Sequence, residues 1–231
     1  AENIRTTIDF YNSHSPEDKD STKISWVRST VQDFNRGIKY NFDDVKFVES
    51  MYRPFCKQNL AYYAPLIDMT YQMPKFFPTG NEENLLICVP GVGHEKDLSV
   101  MITDKISELH FNWSSQCFPL YWYEASAQQK LEGFGEKDTK RRDGVTDWIL
   151  ERARRQYGGS VTKADIFYYV YGFLHLPAYR AEFAAELKKS LPRIILVPRE
   201  EDFWRLSKAG RELASVHLNY ETQAPAAGVE V

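Results

Sequence analysis

The spacing of apolar positions changes part-way along this chain, from short continuous or alternating runs to repeats three and four residues apart. Residues 11–23, YNSHSPEDKDSTK, are polar and rich in Ser and Asp, and predict a loop or tether. Trp26, Val27, Thr30, Val31 and Phe34 then recur at helical spacing and predict a helix over 24–35. IKYNF opens a stretch of β character, and YRPFCKQNLAYY (52–63) sets aromatic residues around a proline, as in a strand that turns and leaves as another. NLLICVPGVG (84–93) is an apolar run ending in Pro-Gly, the pattern of a buried strand meeting a turn. SVMITDKI (99–106) reads as its partner and FPLYWYE (118–124) as a third strand.

Beyond residue 137 the period becomes helical. Val145, Trp148, Ile149 and Arg152 fall at i, i+3, i+4 and i+7, with Asp143 or Thr146 as the N-cap. YGGS stops that helix, and Ile166, Tyr169, Val170 and Phe173 repeat the spacing after Asp165. Pro177 suits the first turn of a further helix, on which Tyr179, Phe183, Leu187 and Leu191 form one apolar stripe and Lys188 and Lys189 end the last turn. RIILVP reads as a buried strand, and EDFWRLSKAGRELASVHLNY as a closing helix. These elements predict an α/β (α+β) fold, a mixed and largely antiparallel sheet from about 40 to 124 followed by a helical C-terminal part. The expected organisation is a linker and helix over 1–39, a main domain over 40–221 (sheet-rich over 40–136, helix-rich over 137–221) and a flexible tail over 222–231.

Composition narrows the class. The chain has 231 residues, 43% apolar and 26% charged, as in ordinary globular proteins. No stretch approaches the roughly 20 apolar residues that span a bilayer, so no membrane is expected as a partner. The N-terminus lacks the basic and apolar regions of a signal peptide. It also lacks an initiator Met, which suggests a piece of a larger polypeptide. The three cysteines, Cys56, Cys88 and Cys117, are odd in number and widely spaced, which argues against a disulfide framework and for a reducing cytoplasm. All three read as buried small apolar residues. Net charge is −3, but it is divided unevenly, −6 over residues 1–136 and +3 over 137–231. A DNA reader needs its positive charge to be local, so the overall sign excludes nothing.

Catalytic patterns are missing. PGVGHEKD holds a Gly-x-Gly after a strand, yet no third glycine stands at dinucleotide spacing and no Gly-Lys-Ser/Thr follows. A turn between strands accounts better for Gly91 and Gly93. His94 and Glu95 make half of a zinc-protease signature without the second His. His110, His175 and His217 have no second ligand at helical spacing, and His217 reads as a hydrogen-bonded structural residue. No Gly-x-Ser-x-Gly elbow occurs, and Cys117 carries no local mark of an activated thiol. No catalytic residue and no metal ligand is therefore assigned.

Binding chemistry is better represented. Lys137, Lys140, Arg141, Arg142, Arg152, Arg154 and Arg155 flank the first C-terminal helix and give residues 137–155 a net charge of +3. On composition alone this is a solvated helix laced with ion pairs; the functional reading is a stripe that holds phosphates. Arg53, Lys57, Gln58 and Asn59 stand close to a turn. Arg and Lys suit guanine, while Gln and Asn suit adenine, through paired groups on the base edge. His94 and Lys96, beside the Pro-Gly turn, complete a set of base-reading candidates.

Several strings taken together, YRPF, ICVPGVGHEKDLSVMITDKISELHF, QCFPLYWYE, DIFYYVYGFLHLPAYRAEFAAELKKSLPRI and FWRLSKAGRELASVHLNYE, resemble the C-terminal specificity domain of type ISP restriction-modification enzymes, from about residue 40 to 221. In that family a single polypeptide joins a nuclease, a helicase-like ATPase motor, a coupler, an adenine-N6 methyltransferase and a target recognition domain. The resemblance implies that this chain reads an asymmetric site on double-stranded DNA, next to the methyltransferase and helicase modules of its parent. This sequence has no Asn-Pro-Pro-Tyr methylation motif, Walker A loop or nuclease motif. Catalysis and the S-adenosylmethionine, ATP and Mg2+ of the parent are therefore not carried over to it. Under this reading Lys140, Arg141, Arg142, Arg152, Arg154 and Arg155 hold the DNA backbone, while Arg53, Lys57, Gln58, Asn59, His94 and Lys96 approach the bases. The alternative is a protein–protein module that docks motor onto methyltransferase and leaves DNA alone; a large apolar patch would mark it.

Overall fold

The computed structural model describes residues 1–94, 96–125 and 139–225. Helices α1 (Glu2–Ser13) and α2 (Arg28–Asn35) precede a hairpin of β1 (Lys46–Arg53) and β2 (Cys56–Tyr62). A short helix α3 (Met73–Phe76) leads to β3 (Leu86–Val89), β4 (Met101–Thr103), β5 (Ile106–Ser107), β6 (Gln116–Pro119), β7 (Tyr121–Ala125) and β8 (Thr139–Asp143). Then come α4 (Asp147–Tyr157), α5 (Lys163–Leu174), α6 (Pro177–Glu182), α7 (Ala184–Leu187) and α8 (Glu200–Leu218). The fold is the expected mixed α/β one, with small, mostly antiparallel sheets and a helical C-terminal part.

Three sheets share the strands, in the orders β2-β1-β5, β4-β3-β6 and β7-β8. β3 is buried along its whole length because it is covered on both faces, which is why it reads as a continuous apolar run. Ile87 and Val89 face the helices, packing with Phe167, Tyr171, Leu174 and Ala214. Leu86 and Cys88 face the other way, toward Val48, Met51, Tyr62 and Ile106 of the first sheet. The two C-terminal helices α5 and α8 cross where Gly172 meets Gly210. A Cβ on Gly210 would lie 2.0 Å from Tyr168 O, and one on Gly172 2.3 Å from Leu206 O. Glycine at both positions lets the two backbones touch.

Local signals explain most boundaries. Thr146 caps α4 through Ile149 N, which settles the choice between Asp143 and Thr146. Gly158 ends α4, Thr162 and Asp165 form a capping box on α5, and Pro177 opens α6.

Several expectations are corrected. Residues 2–13 form a helix that runs into the stretch read as a tether; Ile8 and Tyr11 bury its inner face against Ile24 and Tyr40. The 118–124 run is two strands in different sheets, β6 and β7, parted at Leu120. The stripe over 179–191 does not lie on one helix, because the chain breaks at Phe183, which is left exposed while Leu187 turns into the core. RIILVP is extended but belongs to no strand. Side chains replace the ladder there: Tyr169 Oη donates to Ile195 O, and Tyr157 Oη to Val197 O, each at 2.5 Å. Cys56 is exposed rather than buried, and only Cys88 is fully enclosed.

Candidate nucleic-acid interface

Strand directions decide which candidate residues meet. β1 and β5 run parallel, so the β1–β2 turn and the segment leaving β5 emerge at the same end. β3 ends there too, with Val89 opposite Gln116 at the start of β6. The 90–97 loop and the 108–115 loop therefore lie side by side, tied by Gly91 N donating to Trp113 O at 3.1 Å. This end brings Arg53 to the side of the loop that carries His94 and Lys96, some forty residues further along the chain.

The base-reading candidates differ in freedom. Arg53 holds Glu108 at 2.5 Å and stacks its guanidinium 4.0 Å from the Tyr52 ring. Lys57 is held harder: its ammonium bonds Glu221 at 2.7 Å, lies 3.8 Å from Glu49 and faces the Tyr220 ring. The hydrogen bond to Glu221 raises the Lys57 pKa, so the charge is kept but spent on pinning the hairpin to the end of α8. Gln58 and Asn59, by contrast, offer side-chain amides that bond no described residue. Both residues border a groove of about 430 Å³ beside Tyr52, Tyr71, Met69 and Asp68, with Gln58 on the face it shares with Ser50 and Leu60, while Asn59, next along β2, turns to the face of Glu49 and Lys57. Carboxylates such as Asp68 repel phosphates but accept from the exocyclic amino groups of bases, so the lining suits base edges over backbone. Lys96 is exposed, and His94 turns its Nδ1 inward to a place where no described group meets it. Glu95 lies outside the described residues.

The backbone candidates occupy the opposite end of β6. There Gly144 N donates to Leu120 O at 2.8 Å, and a Cβ on Gly144 would lie 1.9 Å from Pro119 O, so only glycine allows the β8–α4 corner to press on β6. β8 is exposed throughout. Lys140 has no described partner, Arg141 stacks 4.3 Å from the Tyr121 ring, and Arg142 clamps Glu124 Oε2 with two N–H groups. On α4, Trp148, Arg152 and Arg155 share one face at i, i+4 and i+7, with Arg152 against the Trp148 ring. Arg154 is turned aside: its Nε donates to Val161 O and helps close the helix end. Lys137 lies outside the described residues. Lys163, which the sequence reading passed over, bridges Asp143 at 2.7 Å and Asp147 at 2.6 Å and so locks β8 to α4.

β6 itself, four residues long, spans only about 10 Å at the usual strand rise. Tyr52, Met69, Tyr71, Trp113 and Trp148 join the surface as exposed large side chains. Their apolar character gave the sequence no reason to set them apart from core positions. Among the described residues, no group of three or more His, Cys, Asp or Glu side chains could hold a metal ion, and no helix is long and apolar enough to cross a membrane.

Comparison with known proteins identifies relatives of this chain. The family model described as Type ISP C-terminal specificity domain matches residues 1–231. A cryo-EM structure of a DrdV–DNA complex is similar over 96% of this chain, with a TM-score of 0.81 and 32% identity. The ATP-dependent Type ISP restriction-modification enzyme LlaBIII bound to DNA is similar over 98%, with a TM-score of 0.81 and 30% identity. A nuclease-deletion mutant of the Type ISP enzyme LlaGI, in complex with a DNA substrate mimic, is similar over 99%, with a TM-score of 0.75 and 30% identity. This chain spans 21%, 14% and 17% of those three chains, respectively. A search of curated proteins found no match.

Proposed function

Because this chain belongs to the family of Type ISP C-terminal specificity domains, we propose that it recognises a sequence in double-stranded DNA for a restriction-modification enzyme. The carrying observation is the division of chemistry between two surfaces. The uncommitted Gln58 amide lines a carboxylate-bearing groove, and a separate row of exposed cations stands on β8 and α4.

In this reading Lys140, Arg141, Arg142, Arg152 and Arg155 set the register on the backbone, while Gln58 and Asn59 read base edges. Arg53, His94 and Lys96 stand at the rim. Arg53 reaches DNA by exchanging Glu108 for a guanine edge or a phosphate, which costs little because half-exposed ion pairs are worth at most about 1 kcal/mol. Lys57 and Arg154 act instead as internal ties. Adenine-N6 methylation, ATP-driven translocation and cleavage belong to the rest of the parent polypeptide, with their S-adenosylmethionine, ATP and Mg2+. The methyltransferase and helicase modules are then this domain's neighbours in the same chain.

Salt titration of duplex binding tests the backbone assignment. Lys140→Ala and Arg152→Ala should each lower the slope of log K against log salt by about 0.9 and weaken all sequences alike. Unchanged slopes and affinities in both variants would remove these residues from the interface.

A further inference from the structure

The 108–115 loop carries a feature that phosphate holding and edge reading leave unused. Trp113 and Ser114 are consecutive non-glycine residues with positive φ, 54° and 55°. An L-residue in that region is strained, and a bulky one more so. Such a conformation persists only where the surroundings impose it, and here they do. Asn112 is buried, and its side-chain amide donates to Cys88 O at 3.0 Å and Ser99 O at 3.1 Å. The Asn112 backbone N–H donates to Ser115 Oγ, and Ser115 N donates to Leu109 O, closing the loop. Phe111, 1% exposed, plugs it into the core.

What this scaffold holds out is a largely exposed indole. Trp113 is 57% exposed and stacks on no ring or cation among the described residues. Next in sequence to Gly91, whose N–H bonds Trp113 O, is Val92, also 57% exposed, followed in the sequence by Gly93, His94, Glu95, Lys96 and Asp97. Protein interfaces need a contiguous patch of several hundred Å², whereas this is a narrow tip of one indole and one isopropyl group beside two glycines. That shape fits a gap between stacked base pairs.

We propose that Trp113, backed by Val92, is a wedge that enters the duplex and stacks against a base at a step opened by binding. The proposal rests on the DNA-reading function above and adds a deformation of the DNA to it. Apolar and aromatic wedges partly unstack a step and bend the duplex, so sequences whose steps open easily are favoured without any edge contact. Trp113 would thus act as a specificity determinant through DNA deformability.

The test uses the full-length protein that carries this domain, with cognate duplexes holding 2-aminopurine at successive positions. Wild type should brighten the probe at one or two adjacent positions. Trp113→Gly should abolish that signal and weaken binding about tenfold or more, in line with the loss of one base–aromatic stack. Its salt slope should stay unchanged because no charge is lost. Glycine accepts the positive φ, so the variant should unfold at or above the wild-type urea midpoint, separating a binding role from a structural one. Trp113→Phe should keep most of both signals. A dark probe at every position in wild type, wild-type affinity in Trp113→Gly, or lost affinity with the probe signal intact would each overturn the wedge. If Lys140→Ala still lowers the salt slope in that case, the DNA-reading function survives without it.

Discussion

At the scale of single residues, the histidines show how position reassigns chemistry. His175 and His217 are 42 residues apart in sequence, yet their ring centroids lie 6.0 Å apart beside Tyr171. His175 Nδ1 donates to Tyr171 O at 2.8 Å, while His217 Nδ1 meets Tyr171 Oη at 2.6 Å. Phe55 of the β1–β2 turn packs edge-on against His217. The pair is a joint between sheet and helices, as the structural reading of His217 anticipated. Burial lowers both pKa values below the ordinary 6.5, and the Arg180 charge adds to the effect at His175. With folded pKa values below the unfolded ones, the folded state binds fewer protons as pH falls under about 6.5. The stability these residues contribute is therefore complete above pH 6.5 and declines below it. The urea midpoint should drop between pH 7.5 and pH 5.5, and His217→Gln should lower it at pH 7.5 while flattening the drop. A midpoint that rises toward pH 5.5 would contradict the assignment.

Among the secondary-structure elements, the α5–α8 crossing is the most sharply defined contact. Neither Gly172 nor Gly210 can take a Cβ without meeting backbone, which side-chain rearrangement cannot relieve. Gly210→Ala should cost about 3 kcal/mol or more, at the upper end of overpacking penalties, in a urea melt; a loss below about 1 kcal/mol would mean the helices part easily. The sequence showed both helices clearly through their period, caps and proline, because those signals are local. It could not show the crossing point, since a glycine in a helix looks the same whether it faces solvent or another backbone. The failures have the same origin. RIILVP has the composition of a strand, but its carbonyls are met by Tyr157 and Tyr169 rather than by a neighbouring strand. The break at Phe183 interrupts an apolar period that continues undisturbed in the sequence. In the candidate site, residue type alone selected Gln58 and Asn59. Their freedom, and the engagement of Lys57 by Glu221, 164 residues away, emerge only from tertiary contacts.

Over the whole molecule, β6 runs from the end that carries the 108–115 loop to the end on which the β8–α4 corner presses, and the core on both faces of the neighbouring β3 holds the two ends in one body. Exposed aromatic groups are spread among the groove, the 108–115 tip and α4, each next to polar or charged groups. That distribution suits a surface laid along a duplex better than one apolar docking patch. The charge division along the chain acquires its meaning here, because the C-terminal excess is concentrated on β8 and α4 while the acidic N-terminal part supplies the groove. The most direct test is selection of duplexes from a random library by the full-length protein, with and without Gln58→Ala. A defined consensus in wild type, relaxed at one position in the variant, is the predicted result. An identical consensus from both proteins, or no enrichment at all, would contradict the account.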